Sequence, residues 1–134
     1  LALRYARAIL AQAECDIDAT GHDVTNHNDK TDAAKNATPS LKLFFYADAA
    51  HTANRLRWQS ADQTDLTQEW QALAKQYHLS LPVCVSTALS RGISDTDNSA
   101  RHQLHGDNLA TGFDLVGLSE LAMTMQGNCR LIQF

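Results

Sequence analysis

A chain of 134 residues, 44% hydrophobic and 19% charged, suits one domain with one core and leaves no room for a second. Its formal net charge of -4 argues against a large nucleic-acid surface, which needs clustered Lys and Arg, and no apolar run approaches the ~20 residues that span a bilayer. Three cysteines, Cys15, Cys84 and Cys129, fit neither a disulfide framework nor a Cys-x-x-Cys metal knuckle. With no signal peptide in view, a reducing, cytoplasmic setting is expected.

The chain opens on an amphipathic helix in which Leu3, Ala6, Leu10 and Ala13 recur at three- and four-residue steps, with Arg4 and Arg7 on the wet side. An α/β domain seldom starts on a helix, so a strand and loop are expected upstream of Leu1. From Glu14 to Ser40 polar residues take over, broken by Gly21 and Pro39. So little apolar surface predicts a mobile surface insertion at about 14–40. His22, Asp23, His27 and Asp29 lie in it without a tight ligand spacing, and a solvated loop is the expected reading; no metal site is expected.

Leu41–Tyr46 is the clearest strand, aromatic and nearly all apolar, as expected where helices cover both faces of a parallel sheet. A short helix is predicted from Ala47 to Leu56, with Ala49, Ala50 and Ala53 small enough to approach the sheet. His51 and Asn54 fall near the mouth of the preceding strand and are candidate site-lining residues, against the plainer reading of surface positions. Thr64–Tyr77 reads as a helix capped by Thr64 or Asp65, its buried stripe formed by Leu66, Trp70, Leu73 and Tyr77.

The organising stretch is Leu81–Gly92. Leu81, Val83 and Val85 form a short apolar strand, Ala88 and Leu89 favour helix, and Gly92 supplies a stop. Cys84 therefore falls at the C-terminal end of a strand, the edge of an open parallel sheet where loops carry ligands and chemistry. A thiol placed just before a helix start faces unpaired N–H groups and the positive end of the helix dipole, which favour the thiolate. Two readings stay open on position alone: a nucleophile, or a small buried hydrophobe. Beyond it, Ile93–Asn108 is polar and irregular, a helix is predicted near Leu115–Met125 and ended by Gly127, and residues 128–134 read as a final strand with Cys129 at its start in a structural role. Cys15 has no activating neighbour in the sequence.

Several of these residues together resemble the DsrE/TusD-like sulfur-transfer (sulfur relay) family: Phe44-Phe45-Tyr46 with Ala53-Asn54, the Gln68-Glu69-Trp70-Gln71 helix, Val83-Cys84-Val85 with Ala88–Gly92, Asn108-Leu109 before Gly112-Phe113, Leu115 with Gly117-Leu118, and the ending Arg130–Phe134. The likeness runs from Leu41 to the C-terminus. It implies a single three-layer α/β/α domain with a mostly parallel sheet, flavodoxin-like, and a cysteine that carries sulfur as a persulfide, which falls on Cys84. It also implies a hetero-oligomer with TusB-like and TusC-like subunits, sulfur taken from a TusA-like donor and handed to a TusE-like acceptor, and a relay ending in 2-thiolation of the wobble uridine of tRNA. Two departures from the family pattern stand out: the opening strand with its loop is absent, and a short link after the first helix is replaced by residues 14–40.

In the chemistry so implied, backbone N–H groups of Ser86 and Thr87 would cradle the persulfide. No metal or organic cofactor is called for, and neither direct nucleic-acid contact nor a membrane is expected. Two alternatives use the same fold: a DsrE-type subunit of dissimilatory sulfur oxidation, or a non-catalytic assembly subunit in which Cys84 only packs.

Overall fold

The computed structural model describes residues 1–19, 41–127 and 129–134, with only the backbone given for 16–19. Residues 20–40, with most of the expected insertion and with His22, Asp23, His27 and Asp29, lie outside the described residues. The chain divides into two compact units, Leu1–Leu41 with Phe134, and Lys42–Gln133.

In the first unit, helix α1 spans Ala2–Ala19 and so continues past Glu14, where polar composition alone predicted its end. Leu3, Ala6 and Leu10 are its buried stripe, as their spacing requires. The rings of Tyr5 and Phe134 meet at 5.4 Å.

The second unit is α/β. Its elements run as a 3-10 helix over Ala47–Ala53, then α2 (Leu66–Tyr77), β1 (Leu81–Cys84), α3 (Val85–Ser90), α4 (Thr96–His102), β2 (Phe113–Val116) and α5 (Leu118–Thr124). β1 and β2 pair in parallel, with Leu81 opposite Phe113 and Cys84 opposite Val116. On the other side of β1, Phe45 bridges Val83 in parallel. Its N–H donates to Pro82 O at 2.8 Å, and its carbonyl accepts from Cys84 N–H at 2.9 Å.

The expected strand Leu41–Tyr46 is thus reduced to one bridge, and Pro82 supplies a physical reason. In this parallel register the next rung would need the Pro82 nitrogen to donate to the carbonyl of residue 43, and proline carries no N–H. Conversely, Phe113–Val116 joins the sheet although a helix was expected from Leu115. Pairing along the whole of β1 outweighs local helix preference, and Gly117 then opens α5. Residues 129–134 form no strand: Leu131 and Ile132 are exposed, and no ladder neighbour among the described residues stands beside them.

Other boundaries follow local chemistry. The Asp65 carboxylate accepts from the N–H groups of Thr67 and Gln68 at 2.9 and 3.2 Å, which makes it the N-cap of α2. Trp70 and Leu73 are buried as expected, whereas Leu66 is exposed and Tyr77 half-buried. Thr67 takes the remaining buried place, its hydroxyl donating to Thr52 O at 2.7 Å. Helix α3 ends where Gly92 was expected to stop it. Gly92 is left-handed at φ 71°, with Gly92 N–H donating to Leu89 O at 3.0 Å and Ile93 N–H to Ala88 O at 2.9 Å. This Schellman closure drives Ile93 into the core beside Ala88.

Leu81, Val83, Phe45, Phe113, Trp70 and Ile93 make up the centre of that core. The Phe45 ring stands edge-on to Trp70 at 5.3 Å and to Phe113 at 5.4 Å, so one residue joins α2 to both strands. Phe45→Ala is expected to lower unfolding free energy by about 3–5 kcal/mol, read as a shift of the urea midpoint, whereas Tyr46→Ala, at an exposed neighbour, is expected to stay within about 0.5 kcal/mol.

Candidate functional site

Cys84 is the last residue of β1 and the cap position of α3, with φ −61° and ψ 116°, so the chain passes from extended to helical at the thiol itself. Its placement follows from the sheet. The Cys84 amide is held by Phe45 O on one side, Val116 stands opposite it on the other, and its carbonyl accepts the Thr87 hydroxyl at 3.0 Å. The residue is 2% exposed. Ser86 and Thr87 lie in the first turn of α3, where backbone N–H groups have no carbonyl one turn before them in the helix. Those donors and the thiol share one end of the sheet.

The 3-10 helix packs on both α3 and β1. It begins with Ala47 in a left-handed conformation, φ 51°, which costs a non-glycine residue strain and turns the chain sharply over the strand ends. The Asp48 carboxylate on this turn accepts from Arg91 Nε at 3.2 Å and Nη2 at 2.8 Å. Arg91 Nη1 also reaches Thr87 O at 3.3 Å. One guanidinium therefore fastens the turn after Phe45 to the helix after Cys84. Hydrogen bonding from Arg91, then its charge, holds the Asp48 carboxyl below the ordinary carboxylate range. Local sequence gave no sign of this pair, since its members lie 43 positions apart.

Of the other candidate residues, His51 sits exposed on the 3-10 helix, and neither its side chain nor that of Asn54 hydrogen-bonds Cys84 among the described residues. Asn54 instead turns the chain: its side-chain oxygen accepts from Leu56 N–H at 3.0 Å, and its backbone bridges Leu109.

Asn108 was noted in the sequence only as part of the resemblance and proves to be structural. Its Oδ1 accepts from Ser94 N–H at 2.9 Å and its Nδ2 donates to Gly92 O at 2.8 Å, so it stands in for a strand beside the exit of α3. The stretch expected to be irregular contains α4, capped by the Asp95 carboxylate, which accepts from Asn98 N–H at 2.8 Å. An Asp before Thr96 was the available signal for that helix. Cys15 and Cys129 are both exposed, and Cys129 Sγ lies 3.3 Å from Met125 O beyond the end of α5. A cavity of about 350 Å³ lies elsewhere, around Leu81 at the start of β1 with Gln71, Lys75 and Gly112. Among the described residues no three His, Cys, Asp or Glu side chains converge as metal ligands, and no helix is long and apolar enough to cross a membrane.

A buried thiol thus stands at the C-terminal edge of a parallel sheet in an α/β fold, at a strand end followed at once by a helix start. The chain matches the model of the DsrE/DsrF-like family over residues 2–134 and belongs to that family. It is similar to sulfurtransferase TusD of Sodalis glossinidius, 41% identical over 92 residues that cover 69% of this chain and 71% of the relative. The sulfurtransferase TusD homolog of Vibrio parahaemolyticus is 40% identical over 94 residues, 70% of this chain and 72% of the relative. That of Aliivibrio fischeri is 32% identical over 133 residues, 99% of this chain and 84% of the relative.

The Asp48–Arg91 pair carries a pH signature. A carboxyl held below its ordinary range contributes stability that is complete at neutral pH and is lost as pH falls through its folded-state value. The urea midpoint of the native chain should therefore exceed that of Asp48→Asn by a small margin at pH 7, and the margin should begin to shrink near the ordinary carboxylate value of about 4 and be lost only as pH falls below that range. A margin that stays constant on acidification would assign the effect to something other than this ion pair.

Proposed function

We propose that this sulfurtransferase carries sulfur as a persulfide on Cys84, within a relay that ends in 2-thiolation of the tRNA wobble uridine. The observation that carries the reading is the position of Cys84 between β1 and the first turn of α3, in a chain whose relatives are named sulfurtransferase TusD. The Cys84 thiolate attacks the outer sulfur of a donor persulfide. One S–S bond forms to Cys84 Sγ as the donor's S–S bond breaks and its cysteine leaves as a thiolate, so no external oxidant or reductant is used. The next carrier's thiolate then removes the outer sulfur from Cys84 in the same way. Backbone N–H groups of Ser86 and Thr87 are the donors for the negative outer sulfur. His51 and Asn54 border the same edge as site-lining residues.

A TusA-like donor, a TusE-like acceptor, and TusB-like and TusC-like subunits in a hetero-oligomer are the partners this reading requires, in the reducing cytoplasm where a persulfide persists. The burial of Cys84 at 2% exposure bears on both access and the rival reading. Sulfur exchange requires side chains over the thiol to move aside for a partner's cysteine. If they never do, Cys84 only packs and the chain is an assembly subunit.

Intact-mass measurement after incubation with a persulfide-loaded donor separates the two. The native chain should gain one reducible sulfur, ~32 Da by elementary mass, and so should Cys15→Ser combined with Cys129→Ser; Cys84→Ser should gain none at the relay site. Sulfur that survives loss of Cys84, or is never acquired, would leave the assembly reading in its place.

A further inference from the structure

Cys84 is covered, and the register identifies what crosses it. Phe45 pairs in parallel with Val83 and its carbonyl accepts the Cys84 N–H at 2.9 Å, so the chain that leaves Phe45 sets out level with the cysteine. It turns at Ala47, φ 51°, into the 3-10 helix, which packs on both β1 and α3. Cys84 is the junction of those two elements. Residues 46–51 therefore run across the strand end that holds the thiol, with Ala50 buried and Tyr46, Asp48, Ala49 and His51 exposed.

This segment is tied firmly at its two ends and weakly between them. At one end Phe45 bonds to β1 through both its N–H and its carbonyl. At the other, Thr52 O accepts the Thr67 hydroxyl at 2.7 Å, Ala53 O accepts Ala110 N–H at 2.7 Å, and Arg55 N–H donates to Asn108 O at 2.9 Å. In between, the backbone bonds stay local, as from Ala49 N–H to Tyr46 O and from Asn54 N–H to His51 O. Among the described residues, the only side-chain bond from 46–51 to the rest of the fold is that of Asp48 with Arg91.

Three features make the closed position easy to leave. The ion pair is in water at its acidic end, where the Asp48 side chain is 92% exposed, and exposed pairs hold weakly. Ala47 is a non-glycine residue in left-handed backbone, which favours release of that turn. Ala50 contributes a single buried methyl, so lifting it uncovers little apolar surface. The two ends are different, since their movement would break backbone bonds inside the packed unit.

Resting on the sulfur-relay reading above, we propose that residues 46–51 are a strap over Cys84, latched by Asp48 and Arg91, and that a partner's cysteine reaches the thiol when the latch parts and the strap lifts between its anchors. The ion pair holds the strap down and the left-handed Ala47 pushes it up. The two therefore act on thiol access with opposite sign. Between transfers the thiol stays sheltered, and a local movement exposes it without unfolding of the sheet.

The test is alkylation of Cys84 by iodoacetamide, read by intact mass in the full chain carrying Cys15→Ser and Cys129→Ser, at urea concentrations below the unfolding transition. Where the strap closes faster than the reagent reacts, the rate reports the open population. The rate should depend on urea far less steeply than global unfolding does, because lifting a few residues exposes little surface. Asp48→Asn and Arg91→Gln should each speed alkylation by about 1.5- to 5-fold, and together by less than the product of the two, since they remove one shared interaction. Ala47→Gly should slow it about threefold or more.

Alkylation with the urea dependence of global unfolding, or none at all below the transition, would overturn the strap. So would a native rate equal to that of the unfolded chain, single-variant rates equal to the native one, or acceleration by Ala47→Gly. Loading of Cys84 from glutathione persulfide should change in step with alkylation across the variants. Absence of loading beside the expected alkylation pattern would count against the relay chemistry and leave the strap standing, whereas loading without that pattern would remove the strap alone.

Discussion

Phe45 is the residue on which the second unit depends. Its amide and carbonyl both bond to β1, the carbonyl to the cysteine itself, and its ring meets Trp70 and Phe113. Backbone bonding sets the height of Cys84 relative to the turn that follows Phe45, and ring packing fixes α2 and β2 against the same strand. The two effects reinforce each other, because a ladder bond in a dry core is costly to break and aromatic packing keeps it dry. Fold and site therefore share one support.

That support explains why so short a sheet can hold Cys84 in a fixed position. β1 has four residues, but Cys84 is bracketed by Phe45 on one side and Val116 on the other, and the helix begins immediately after it. Loops on both sides are then fastened over the strand ends: Arg91 clasps Asp48, and Asn108 bridges Gly92 and Ser94. The result is a buried thiol surrounded by ordered turns. Under the persulfide-carrier proposal, that shelter from solvent would protect the outer sulfur from oxidation.

Local signals were legible where a few neighbouring residues suffice. Asp65 as one of two cap candidates, Gly92 as a helix stop, and Trp70 and Leu73 as a helical stripe are all decided within about one helical turn of chain, as is the passage from strand to helix close to Cys84, although Val85, expected in the strand, is the first residue of α3. The same local reasoning failed where a partner strand decides. Leu41–Tyr46 has the stronger strand composition and retains a single bridge, while Phe113–Val116 has the weaker and forms β2. Pro82 held the clue to the first, but a missing N–H matters only once it is known which strand faces it.

By itself, then, the sequence determined an α/β chain with a cysteine delivered from a strand into a helix, and the pattern of residues around it that resembles a sulfur-transfer family. Those features depend on bonded order and on steps of two to four residues, which are written directly in the chain. Only the tertiary structure decided which apolar runs pair, that Arg91 reaches Asp48 across 43 positions, that Cys84 is covered, and that Leu56 and Trp58 are not. Each of these depends on how distant segments meet, and hydrogen-bond ladders, ion pairs and burial have no value until both sides are in place.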